Sequence, residues 1–154
     1  MNKIITPLAF ATVVLALASC ATLVQKPEGF AEVLPWQVAA TQYKAVSPEG
    51  MIYRVRTLNN YPVQTLEFWA QALQNHLEKE GYRSVSEGRS FETEDNSGRI
   101  FEWAMPYANE SYIYLTAIVV SEKRIAVAEA AAEHTIYYQY REALLESLAS
   151  IVIP

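Results

Sequence analysis

One cysteine, five glycines and two histidines are all that this 154-residue chain offers of the residue types that most enzyme sites draw on. A lone cysteine excludes an intramolecular disulfide framework and any zinc site built from several thiolates. The five glycines form no phosphate loop, dinucleotide fingerprint or G-x-S-x-G elbow. His76 and His134 are too few for a catalytic zinc, which needs three ligands, and neither stands in an HExxH pattern. Positive charge is also scarce: 12 Lys and Arg stand against 17 Asp and Glu, a formal net charge of −5. Without a basic run there is no counterion-release term for nucleic acid, and no nucleic-acid partner is expected. What is abundant is apolar surface. Hydrophobic residues make up 51% of the chain, with ten Tyr, five Phe and three Trp, which excludes disorder.

The first twenty residues, MNKIITPLAFATVVLALASC, hold one positive charge, an uncharged stretch from Ile4 to Ala18, and small residues ending at Cys20. That order of regions is a secretory signal, residues 1–19. As a helix the uncharged stretch would measure about 22 Å, short of the ~20 residues that span a bilayer. Leu17-Ala18-Ser19-Cys20 resembles the lipobox of bacterial lipoproteins. The resemblance implies that the Cys20 thiol carries a diacylglyceryl group, that the preceding peptide is cut away, and that the new N-terminus is acylated. It further implies a membrane partner through the lipid and a cell-envelope location. Ala21, where an aspartate would resemble an inner-membrane retention signal, implies the outer membrane, facing the periplasm, in a Gram-negative cell. Each buried methylene contributes about 0.8 kcal/mol, so several chains anchor a protein in practice permanently.

Residues 20–29 then read as the acylated cysteine and a tether, because they lack period and contain Pro27 and Gly29. Residues 30–154 read as one α+β domain. Gln37–Val46 and Met51–Thr57 are expected as strands about a Pro48–Gly50 turn, with Ile52, Arg54 and Arg56 on one face and Met51, Tyr53 and Val55 on the other. Thr65 suits an N-cap. Leu66, Trp69, Ala70, Leu73 and Leu77 form a helical stripe, Gly81 a left-handed cap, and Tyr82 is placed to contact Leu77. Phe68 falls off that stripe.

Four further strands are expected over Arg83–Ser86, Ser90–Glu94, Arg99–Met105 and Ser111–Ser121, the last apolar on both faces and hence central. Lys123–Ala130 should pair back, and a helix should run from about Ala131 to Ala149 with Tyr137, Tyr140, Leu144 and Leu148 inward. Strands broken by only two helices indicate an antiparallel sheet of six or seven strands with helices on its faces. The late YLTAIVV strand, the IAVAEA strand and the aromatic-rich last helix ending in Ser-Leu resemble the PsbP-like α/β/α sandwich. That resemblance implies an accessory, docking or chaperone-like module.

No constellation for catalysis is complete. His134 stands at a helix N-terminus, where the imidazolium is disfavoured, so it is the one candidate base for a small periplasmic hydrolase. It is equally a histidine packed among tyrosines, and His76 reads as a solvated side chain. The Glu92–Gly98 turn misses calcium-loop spacing, with glycine at position seven and Trp103 at position twelve. No metal or cofactor is expected. Trp103, Tyr107, Tyr112 and Tyr114 gather around one hairpin, and Tyr138 and Arg141 follow His134 on the last helix. Such aromatics suit a surface for an envelope protein or small ligand, or else they fill the core. The expectation is a lipid-anchored, non-catalytic envelope module; a hydrolase using His134 and a purely structural envelope protein are the alternatives.

Overall fold

A computed structural model describes residues 23–33, 41–107 and 110–153, the side chains of 106, 107 and 110 excepted. The fold is α+β, with the strands β1 (Ala31–Glu32), β2 (Gln42–Val46), β3 (Ile52–Asn59), β4 (Arg83–Ser84), β5 (Arg89–Glu92), β6 (Ser97–Tyr107), β7 (Glu110–Val120) and β8 (Arg124–Glu133). Helix α1 (Leu66–Lys79) follows β3 and helix α2 (His134–Ala149) follows β8. All strand pairs are antiparallel, in the order β1-β2-β3-β8-β7-β6-β4, with β5 also on β6. The two-residue β1 is the strand that no periodicity announced. Of the expected Gln37–Val46 strand, residues 37–40 lie outside the described residues.

Strand β7 is central and covered on both sides, as its double apolar alternation requires. Ile113, Leu115, Ala117 and Val119 face α2, within a core that includes Tyr53, Val55, Leu144 and Leu148. Ile118 and Tyr114 face α1, with Phe101, Trp103, Ala70 and Leu77. Thr65 caps α1 by accepting from the Phe68 amide at 3.2 Å. Its other end is a Schellman motif: Gly81 has φ +92°, and the Tyr82 amide donates to the Leu77 carbonyl at 3.0 Å.

Two expectations are corrected. The last helix begins at His134, three residues later than the alanine run suggested, because Ala131, Ala132 and Glu133 extend β8 opposite Tyr114, Ile113 and Tyr112 of β7. Ala126, Ala128, Ala130 and Ala132 are buried there, and their small side chains let α2 lie close over the strand. Residues 23–29 of the expected tether are packed on the domain: Leu23, Val24 and Pro27 are buried, and the Leu23 carbonyl accepts from the Val152 amide at 3.0 Å, while residues 20–22 lie outside the described residues. Ser147 Oγ donates to the Gln25 carbonyl at 2.6 Å, so this segment is bound along the end of α2. It is apolar surface that the last helix needs covered.

Candidate functional site

Two glutamates stand inside the sheet, one on each face, and each gathers arginines and a tyrosine. On the α2 face, Glu102 is 5% exposed, in the middle of β6. Tyr137 Oη donates to its Oε1, and Arg141 binds it in fork geometry, Nε to Oε1 at 2.7 Å and Nη2 to Oε2 at 3.1 Å. Arg89 Nη2 stands 3.7 Å away. Burial pushes the Glu102 pKa up, but the bonds from Arg141 and Tyr137 and the two arginine charges outweigh it and hold the carboxyl below the usual range. Tyr137 is shifted upward, by burial first and by Glu102 next. A cavity of about 400 Å³ opens beside this cluster, between α2 and the residues preceding β5, with Arg89, Tyr138 and Arg141 in its wall.

On the opposite face, Glu129 of β8 accepts from Tyr114 Oη at 2.7 Å and from Arg54 Nη2 at 2.9 Å, with Arg56 Nη2 at 3.6 Å. Register places Arg54 directly across from Glu129, and Lys44 directly across from Arg54. Burial raises the Glu129 pKa, yet the Tyr114 and Arg54 bonds and the arginine charges again leave it lowered. Burial, and then the bond to Glu129, raises Tyr114.

Helix α1 packs on β6 and β7 and leaves the β2–β3 side of this face open. Arg54 and Arg56 have side chains 49% and 42% exposed. A cavity of about 300 Å³ lies over Lys44, Ile52, Arg54, Glu129 and Tyr114. A second, of about 660 Å³, lies past the end of α1 over His76, Tyr82 and Met105, and shares Tyr114 with the first. In the wall of the second, the Tyr82 ring stands 5.5 Å from that of Tyr114. Three cations to one glutamate make this a basic patch on a chain of net charge −5.

The residues proposed from the sequence are divided between these faces. Trp103 is wholly buried, its indole N–H donating to Thr116 Oγ1 at 3.0 Å and its ring stacked 5.6 Å from Phe101. It is core, and its expected place on a binding surface is corrected. Tyr114 reaches the open groove. Tyr112 is half-buried on the same face. The side chain of Tyr107, and Cys20, lie outside the described residues. His134, Tyr138 and Arg141 share one flank of α2: His134 is exposed with its ring 4.7 Å from Tyr138, and Arg141 is turned in to Glu102.

Sequence reading missed Glu102, Glu129 and the role of Lys44. The available signal was a pair of isolated acids, each the one charge within an apolar stretch of strand (Ile100–Trp103 and Ile125–Ala132), and, for Glu129, two arginines on a single face of β3. Among the described residues no three His, Cys, Asp or Glu side chains converge on a metal-sized site. No helix among them is long and apolar enough to cross a membrane.

No family model and no curated protein matches the sequence. Solved structures do match the fold. PA94, a protein of unknown function from Pseudomonas aeruginosa, aligns with a TM-score of 0.59 at 7% identity, over 80% of this chain and 96% of its own. Cyanobacterial PsbP (CyanoP) from Synechocystis aligns at 0.58 and 6% identity, over 84% of each chain. LpqN, involved in cell envelope biogenesis of Mycobacterium tuberculosis, aligns at 0.55 and 13%, over 80% of this chain and 78% of its own. The chain is similar to these in architecture, and the fold is PsbP-like.

Proposed function

We propose that this chain is a lipid-anchored, non-catalytic module of the cell envelope, which holds an anionic group of a partner or ligand on the open face of its sheet. The observation that carries the reading is the uncovered basic groove of Lys44, Arg54 and Tyr114, with Arg56 next along β3 at Glu129, on an otherwise acidic protein. Exposed arginine forks beside a tyrosine match carboxylate or phosphate geometry. Glu102 and Glu129, each in the wall of a cavity, are held ionised by their arginines, which suits them to charge compensation rather than to proton donation near neutral pH. His134 is exposed and its ring neighbour is Tyr138, which leaves the hydrolase alternative without specific support. The Leu17–Cys20 motif supplies the anchor, and the fold shared with LpqN is compatible with an envelope setting.

Affinity capture from detergent-solubilised envelope tests the reading, comparing the parent chain with Arg54→Glu and, as a control on the other face, Tyr138→Ala. Capture lost in Arg54→Glu and retained in Tyr138→Ala is the expected result. Equal capture by all three, or hydrolytic turnover that disappears in His134→Ala, would replace it. The anchor is checked separately: Cys20→Ser should abolish palmitate labelling and leave uncleaved precursor.

A further inference from the structure

The end of the sheet at the β7–β8 turn gathers features that neither the groove nor the core uses. Strand β3 finishes there, with Asn59 opposite Arg124, and the loop of residues 60–65 leads from it into α1. The base of that loop is fixed by one buried side chain. Asn60 Nδ2 donates to the carbonyls of Ser121 and Gln64, each at 3.0 Å; its Oδ1 accepts from Trp69 Nε1 at 2.8 Å and from the Gln64 amide at 3.0 Å. The Asn60 amide donates to Lys123 at 2.9 Å.

A loop so firmly held could have turned its apolar residues inward. Instead Tyr61 is 84% exposed and Val63 64%, with Leu58 and Phe68 beside them in sequence and each about half exposed. Exposed large apolar side chains gathered in one place on a folded domain mark an interaction surface.

The chain enters the fold at this same end. Helix α2 starts where β8 ends, runs back along the sheet, and finishes near Glu94 in the β5–β6 turn, close to the β7–β8 turn. Leu23 is hydrogen-bonded to Val152, just past α2, and Val152 is itself partly exposed. Two residues separate Leu23 from Cys20, so an acylated Cys20 could stand no more than about 11 Å of extended chain from Leu23. A lipid on Cys20 therefore brings the leaflet to this end of the molecule. The surrounding charges are mixed, Glu67, Glu94, Asp95 and Glu122 with Lys123 and Arg124, which favours apolar insertion over attraction to anionic headgroups.

We infer that the loop of Tyr61 and Val63, with Leu58 and Phe68 at its flanks, is a second membrane contact: it enters the interfacial region of the leaflet that holds the lipid. The inference rests on the anchor assigned above. With this end down, the sheet stands on the membrane and the basic groove, which opens along a face of the sheet, stays accessible from the side. Tyrosine suits the position, with an apolar ring and a polar tip.

Cys20 is the only cysteine, so Val63→Cys and Tyr138→Cys each place a single environment-sensitive dye once Cys20 is acylated. The lipidated full-length product is reconstituted into zwitterionic vesicles carrying spin-labelled lipid. At position 63 the dye emission should shift to the blue and be quenched several-fold more strongly than at position 138, near the start of α2. Equal, water-like emission at both positions in protein whose mass confirms acylation overturns the membrane contact and spares the anchor. A product whose mass shows an unmodified Cys20 overturns both together.

Discussion

The Glu102 and Glu129 clusters are built from the same parts, on opposite faces of one sheet, yet they serve different ends. Each pairs a glutamate with a tyrosine hydroxyl and two arginines. On the α2 face a helix lies over the group, one arginine comes from that helix, and the cluster ties α2 to β6. On the α1 face the helix stops short and both arginines belong to β3, each with two-fifths to half of its side chain exposed, and the Glu129 side chain is 17% exposed against 7% for Glu102. What decides is coverage rather than composition. A charge that a helix encloses must be compensated to be tolerated, whereas one at an open face remains available to a partner.

The sharpest way to break this contrast is at the residue that joins neither cluster. Trp103→Ala should cost about 4 kcal/mol, as expected for a buried aromatic, because it empties the α1 core. Denaturant unfolding measures it; a stable variant with altered ligand capture would return Trp103 to the binding surface. Next comes Glu102→Gln, expected to cost about 3 kcal/mol because Arg141 is left facing a neutral group under α2. Glu129→Gln should cost about 1 kcal/mol or less, since its arginines are exposed and can turn to water. Equal losses in the two variants would erase the distinction between the faces.

Acid sharpens the same comparison. Both glutamates have folded-state pKa values below their unfolded ones, so each contributes stability that is present above the unfolded carboxylate range and is lost as pH falls through the depressed folded value. Unfolding free energy should therefore decline below about pH 4.5. The decline should be shallower in Glu102→Gln than in the parent chain; identical acid limbs would deny Glu102 its role. The smallest effect is expected at His134→Ala, within about 0.5 kcal/mol, because its side chain is exposed. A larger loss would show that the ring beside Tyr138 supports the start of α2.

Much of the architecture was legible as period. The stripe from Leu66 to Leu77 with Thr65 before it and Gly81 after it is α1, cap to cap. The two apolar faces of residues 111–120 gave a covered central strand, and the structure supplies both covers. Residues 124–130 were legible as a strand, but Ala131 and Ala132 misled, because alanine favours helix by propensity while burial beneath α2 demands small residues in a strand. The site was less legible. Arg54 and Arg56 were visible on one face of β3, but Glu129 lies 75 positions from Arg54 and meets it only through strand register. Trp103 and Tyr114 are neighbours across a β-ladder, yet one is sealed under α1 and the other reaches solvent, a difference set by where that helix ends.

By itself the sequence determined the elements, their faces and the two-sided burial of the centre, since hydrophobic alternation and capping act between residues near in the chain. Only the tertiary structure decided which glutamate is enclosed and which is open, and that Leu23 and the Tyr61–Val63 loop share one end. Those facts depend on register and on the reach of each helix, which are settled by contacts between distant segments and leave no periodic mark in the chain.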